Sequence, residues 1–524
     1  MALTKAHNRM IDGASISVKD FGATGDGTTD DTTAIQAALN VGGTVYFPKG
    51  TYLTGSLLIP SNTEVVGAKD SIILAATTLS TPLFRNAAYP NGNVNIKISS
   101  LTINGNESAT NIEDTIELQK CTNTNVDGCY IYNYPSIAIS ILGGDSTVEV
   151  TNNHIDGGVG GGTDGVGTGG SGINFSGQTL MGNKIIGNTV INNTSSGIVI
   201  QGGSQFVVVT NNNASYNGIT NGNGIFAGHA KTCVISNNVC RYNSLVAEAG
   251  SGIGINTSLY DCDNHSITGN ICEYNGDDGI DILAATGYNT SYHTITGNQL
   301  NYNTGAGINM GGAETMYITV SGNHIKGNGA AGIHIDSVLN GYHTISDNVI
   351  LDNGQVTSGS PAIRCYDDYV TITGNVCRNI TGTLTQSGIT ATGTSCLVVG
   401  NVVANTTTQY SFSSSNDNIL GFNYGSSMFK IGGVNTLATA GATPDVTHNR
   451  MVKIQQSGAT NITDLTGGQI GKEVILQFRD GNSTLVHSAS IRLAGGVNVT
   501  MGDYDMMCLI HDGLGWLETS RTIN

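Results

Sequence analysis

The sequence is poor in proline, in charge and in long apolar runs, and each shortage excludes something. Its 524 residues include 7 prolines, and although glycine is frequent at 73 there is no Gly-X-Y period. Collagen and proline-rich disorder are therefore excluded. Charged residues are 11% of the chain, against a usual quarter. No apolar stretch approaches the roughly 18 residues of a membrane-spanning helix. Tryptophan occurs once, and the ten cysteines show no zinc-binding spacing. No metal and no cofactor is expected. The charge that exists is mostly acidic, with 38 Asp and Glu against 21 Lys and Arg and a formal net charge of −17. Such a surface repels phosphate backbones, so neither nucleic acid nor a membrane is an expected partner. The opening MALTKAHNRM lacks the apolar core of a signal peptide, which points to synthesis in a reducing cytoplasm.

What is present is a repeat. Ten asparagines, at 153, 188, 212, 238, 270, 298, 323, 348, 375 and 401, stand in the same local pattern, and Leu101 and Cys129 hold the place in two earlier rungs. The mean spacing is about 27 residues. Three residues before this position all twelve rungs have Ile or Val, from Ile98 and Val126 to Ile372 and Val398. Two residues after it stand small or branched apolar residues, among them Cys240, Cys272 and Cys377, which read as core. Five residues after it, seven consecutive rungs carry a second Asn, from Asn193 to Asn353. Equivalent residues stack about 4.8 Å apart when coil lies on coil. β-branched residues suit such a wall, and stacked Asn amides can bond along a ladder. Asn also tolerates the left-handed backbone of a sharp corner. The fold class is therefore all-β, a parallel β-helix, and the handedness of parallel connections makes it right-handed.

A third segment of each coil reads Gly-Ile-x-Ile. Alternation turns its x residue outward, giving a column Val199, Phe226, Gly254, Asp281, Asn309, His334, Arg364. The organisation expected is an N-terminal cap over 1–60, with a short helix around Ala34, Ile35, Ala38 and Leu39, then the β-helix over 61–425. A β-sandwich-like domain follows over 426–524, serving trimerisation or glycan binding.

ISVKDFGATGDGTTDDTTAIQAAL followed by GGTVYFPKGTYL resembles the start of the pectate-lyase-like β-helix domain of bacteriophage tailspikes and capsule depolymerases. The tail, from ATPDV to WLETSRTIN, is similar to the small β domain that closes many of them. The resemblance implies a homotrimer in a virion tail, docked to a tail or baseplate protein through its N-terminus. It further implies that the protein binds, and often cuts, a bacterial surface polysaccharide.

Glycan hydrolysis needs one protonated and one ionised carboxyl group. The richest acidic place is NGDDGIDI, with Asp277, Asp278 and Asp281, and Glu248 lies in the matching turn of the preceding coil. Crowded carboxylates raise one another's pKa and so supply acid and base together. The bland alternative is that Asp-Asp-Gly only forms a turn. Asp367 with Asp368 is a rival pair, and Asp261 with Asp263 a weaker one. Tyr216, Tyr242, Tyr274 and Tyr302 recur four residues after the rung Asn and, with Asn309 and His334, are candidates for binding sugar. His265, His293 and His343 share a position five residues before the Asn and read as structural. Two other readings stay open: a uronate lyase, with Arg364 or Arg241 as base, and a glycan-binding adhesin without activity.

Overall fold

The computed structural model describes residues 15–523, except for 78, 107–113, 145, 159–169, 178, 180–181, 220–221, 245–249, 258–259, 313, 338–340, 358, 381–386, 407, 413–418, 422, 426–434, 439–440 and 447–450. The chain divides into two compact units, one ending at Ile419 and the other beginning at Leu420. In the first unit most coils contribute one strand to each of three parallel sheets. Sheets 1 and 2 have 16 strands and sheet 3 has 14. The Ile or Val three residues before the rung Asn lies in sheet 1, the apolar residue two after it in sheet 2, and the Gly-Ile-x-Ile segment in sheet 3. Ile295, for example, pairs with Ile267 and Val320, and Ile280 with Ile253 and Ile308. These inward columns are fully buried from Val45 to Val403, including Cys240, Cys272 and Cys377.

The corners correct one expectation. The ladder Asn is not the left-handed residue; the residue before it is. Asn152, Gly187, Asn211, Asn237, Gly269, Gly297, Gly322, Asp347, Gly374 and Gly400 all have φ between 53° and 69°. The Asn that follows turns inward and works as a clasp. Asn270 Nδ2 donates to Ile235 O one coil back (2.9 Å) and to Asn298 Oδ1 one coil forward (3.0 Å). Its Oδ1 accepts from the backbone N and from Nδ2 of Asn238. The same pattern runs from Asn153 to Asn401, and the second ladder, Asn193 to Asn353, repeats it at the next corner. Buried corner backbone is thereby satisfied without water.

At the N-terminus the expected helix spans Thr32–Leu39, with Ile35, Ala38 and Leu39 buried. Asp30 accepts from Thr32 N at its start, whereas Asp31 turns away to accept from Thr24 N and Gly25 N, tying down the GATGDG loop. The winding begins before residue 61: Ile16–Ser17, Gly43–Phe47 and Thr63–Gly67 are successive strands of sheet 1. The short strands of GGTVYFPKGTYL are thus already coils.

The second unit has a six-stranded and a three-stranded sheet. Their strands share one core around Trp516, whose indole N–H donates to Leu465 O at 2.9 Å.

Candidate acidic site on sheet 3

Asp277 and Asp278 sit in the turn entering the strand Ile280–Ala284. Ile280 and Ile282 are buried, so alternation sends Asp281 to the outer face. A carboxylate that merely shaped this turn would bond its own backbone two residues on, as Asp26 bonds Thr28 N. Asp278 instead accepts from Ala306 N in the next coil and is buried. Room for it comes from Gly305, where any Cβ would collide with Oδ1 of both Asp277 and Asp278. Asp281 accepts from Asn309 Nδ2 at 2.9 Å. On its other side the neighbour in register is Gly254. The amide of Asn223 fills that space, and a Cβ on Gly254 would lie 2.6 Å from its Nδ2.

Three acids crowded together, with no ion pair to a cation among the described residues, have the electrostatics expected of them. Burial raises Asp278 well above the usual carboxylate range, and Asp281 and Asp277 raise it further against the opposing bonds from Ala306 and Asn309. Burial pushes Asp281 up to about 7, with Asn309 opposing and Asp277 adding to it. Burial also raises Asp277. Burial and mutual repulsion thus favour the protonated form of Asp278 beside an Asp281 raised to about 7, the kind of pairing that supplies acid and base from like groups. Glu248, the fourth acid in the sequence-based expectation, lies outside the described residues.

The outward column is ordered as the alternation requires: Val199, Phe226, Gly254, Asp281, Asn309, His334, Arg364. Asn309 belongs to the acidic site through Asp281. His334 stands one coil further on.

Tyr216, Tyr242, Tyr274 and Tyr302 form a stacked column with centroids 5.1–5.2 Å apart. Each precedes an Asn of the second ladder and has φ between 56° and 59°, the corner conformation. Because the rings stack on one another, a ligand meets mainly edges and hydroxyls rather than open ring faces. A second column, Tyr292, Tyr317, Tyr342 and Tyr369, lies at the corner entering sheet 1. The sequence signal for it was a Tyr six residues before the rung Asn in four consecutive coils.

The rival acids have structural partners. Asp367 is buried and accepts from Ser337 N, the Ser337 hydroxyl and His343 Nε2, while Asp368 accepts from Thr394 N. Asp261 and Asp263 flank Lys231 Nζ at 3.4 and 3.5 Å. Arg241 is paired with Glu273 at 3.0 Å. His265, His293 and His343 are buried, and each Nδ1 accepts a backbone N–H from the preceding coil, the role Asn plays at the next corner.

Two family models match the chain. One, described as rhamnogalacturonase A/epimerase, pectate lyase-like, covers residues 15–226, and one for the right-handed β-helix region covers 251–463. A pre-neck appendage protein of Bacillus phage B103 is 41% identical over 96 residues, which is 17% of this chain and 11% of that protein. Alginate lyase 7 of Azotobacter vinelandii is 41% identical over 111 residues, 18% of this chain and 13% of that one. The matched stretches thus span little more than a tenth of these relatives. Among solved structures, the tailspike of E. coli bacteriophage HK620 superposes with a TM-score of 0.55 at 12% identity over 78% of each chain, a likeness of fold. By its matched segments the chain is similar to pectate-lyase-like proteins and to the right-handed β-helix region, and its coils have the right-handed β-helix fold that the HK620 tailspike also shows.

Proposed function

We propose that this protein acts on a bacterial surface polysaccharide as part of a virion tail, and that it cleaves the polymer by glycosidic hydrolysis at Asp277, Asp278 and Asp281. The observation that carries the reading is the acidic cluster on the face of sheet 3, which has no ion-pair partner among the described residues. Burying like charges is costly to folding, and a turn does not need it. Asp278, the deeper, is the general acid; Asp281 is the base or nucleophile; Asp277 raises both. The tailspike resemblance supports a homotrimer docked through its N-terminus. The test is turnover of polysaccharides from capsulated strains, read as new reducing ends. Asp278→Asn and Asp281→Asn each cut turnover about 100- to 10,000-fold while leaving binding. Near-normal turnover in both variants puts the site elsewhere.

Similarity to an alginate lyase favours one further reading, elimination on a uronate polymer. It predicts ultraviolet absorbance from an unsaturated uronate among the products. Hydrolysis remains the stronger reading, because the cluster offers paired carboxyl groups and Arg241, one of the two candidate bases, is tied to Glu273.

A further inference from the structure

Beyond Asn309 the outward column changes character. Asn309 is spent on Asp281, but His334 and Arg364, neighbours in register, are not spent on anything comparable. His334 Nε2 is buried without a hydrogen-bond partner among the described residues. Burial, and then the charge of Arg364, hold its pKa below the ordinary value, so it is a neutral imidazole at pH 7. Arg364 is partly buried. Two other partly buried arginines of the β-helix are neutralised, Arg85 by Glu117 at 3.1 Å and Arg241 by Glu273 at 3.0 Å. No such ion pair holds Arg364 among the described residues. Of the nearby acids, Asp336 is exposed, and Asp367 is turned inward to Ser337 and His343. Beside them Tyr366 is 44% exposed. Its ring meets His334 at 6.2 Å and 81°, outside both stacked tyrosine columns.

We propose that Arg364, His334 and Tyr366 form a subsite for an acidic sugar. The guanidinium takes the carboxylate, His334 Nε2 bonds a ring hydroxyl and Tyr366 packs on the sugar ring. Each element supplies what the others lack: a cation without a counter-ion and a buried polar atom without a partner among the described residues, and an aromatic ring outside the stacks. The proposal rests on reading the aspartate cluster as the point of cleavage. Three register steps separate Arg364 from Asp281, about 14 Å along the column. That leaves room for a short run of sugar rings between the cut and the acidic unit. The substrate class is therefore a polysaccharide whose repeat carries a carboxylate, on a hexuronate or a pyruvyl substituent.

The test uses the full chain carrying Asp278→Asn, so that bound polymer is not consumed. The probes are purified bacterial polysaccharides of known repeat, some neutral and some carboxylated, together with carboxyl-reduced forms of those that bind. Binding is expected to select carboxylated polymers. Carboxyl reduction, or Arg364→Gln added to the same chain, should weaken it about tenfold or more, the worth of one charge-assisted contact. Arg364→Lys should restore part of the loss, and an unchanged melting temperature excludes misfolding as its cause. Binding to neutral polymers alone, to none of the carboxylated ones, or with affinity indifferent to Arg364→Gln overturns the subsite. The two readings fail separately. A neutral polymer cut by the parent chain sinks the subsite and leaves cleavage standing. An Arg364-dependent acidic ligand that the parent chain never cuts does the reverse.

Discussion

Asn270→Ala removes one clasp from the middle of the first asparagine ladder, and its cost can be worked bond by bond. Four hydrogen bonds disappear: two donated by Nδ2, to Ile235 O and Asn298 Oδ1, and two accepted by Oδ1, from N and Nδ2 of Asn238. Asn238 Nδ2 keeps Val209 O, and Asn298 Oδ1 keeps the Asn270 backbone N–H. The Asn238 backbone N–H loses its acceptor on a residue that is itself fully buried. One orphaned buried donor costs about 1–3 kcal/mol and each further lost bond about 1 kcal/mol, so the coil should loosen by about 4–6 kcal/mol. Hydrogen exchange of a peptide covering Val234–Arg241 reads this directly, because the loss is local. Exchange should accelerate roughly a thousandfold or more. Asn270→Asp sharpens the test. Its carboxylate can still accept but, when ionised, cannot donate, so folding favours the protonated form and raises its pKa. That contribution is complete below the unfolded value of about 4 and is lost as pH rises through the folded value. The Asp variant should therefore approach the parent in acid and fall away toward neutral pH. Exchange at Val234–Arg241 unchanged in the Ala variant would refute the clasp.

Asp281 has a folded pKa of about 7, above its unfolded value, so its contribution to stability is complete below about pH 4 and is lost as pH rises through about 7. Asp281→Asn should thus gain thermal stability over the parent across that interval, with the gap level above it; a gap that does not vary with pH contradicts the raised value. Asp367→Asn should lower the melting temperature and spare turnover, since its partners are Ser337 and His343 inside the β-helix; loss of turnover at unchanged stability would make it part of the site. Ile295→Asp puts a charge into a fully buried column and should fold poorly or not at all, and a melting temperature within error of the parent would show that column to face outward.

The coils were legible because each buried column obeys a fixed offset from one recurring asparagine. Ile295 could be placed against Ile267 and Val320 from spacing alone. The corner conformation was misassigned for a physical reason. What recurs there is a backbone angle, and Gly187, Asn211 and Asp347 satisfy it with different side chains, whereas the position beside them repeats a single side chain, Asn, in ten coils. Tyrosine in that conformation is strained more than Gly or Asn would be. Its recurrence at Tyr242 and Tyr274 means that ring stacking between coils offsets the strain. The early start of the winding was hidden because the strands from Gly43 to Gly67 follow one another through turns of only two to three residues, without the asparagine that marks later coils.

The acidic site was legible in membership and illegible in depth. Asp277, Asp278 and Asp281 announce themselves as carboxylates near one strand, yet whether Asp278 is a solvated turn or a buried acid depends on what the next coil puts against it. That is decided by Gly305, 27 residues further on, and by the Ala306 amide, neither of which carries chemistry a motif would flag. Gly254 and Asn223 act in the same way from the preceding coils. In a solenoid the environment of a residue lies one period before and one period after it, so composition within a turn identifies reactive groups, while the small residues at the same register in neighbouring coils set their pKa. The same argument sorts the rival pairs. Asp367 and Asp368 look equivalent to Asp277 and Asp278 along the chain, but across the coils Asp367 meets His343 and Ser337, groups that hold it, where Asp278 meets two further acids, opposed by the Ala306 amide and the Asn309 side chain.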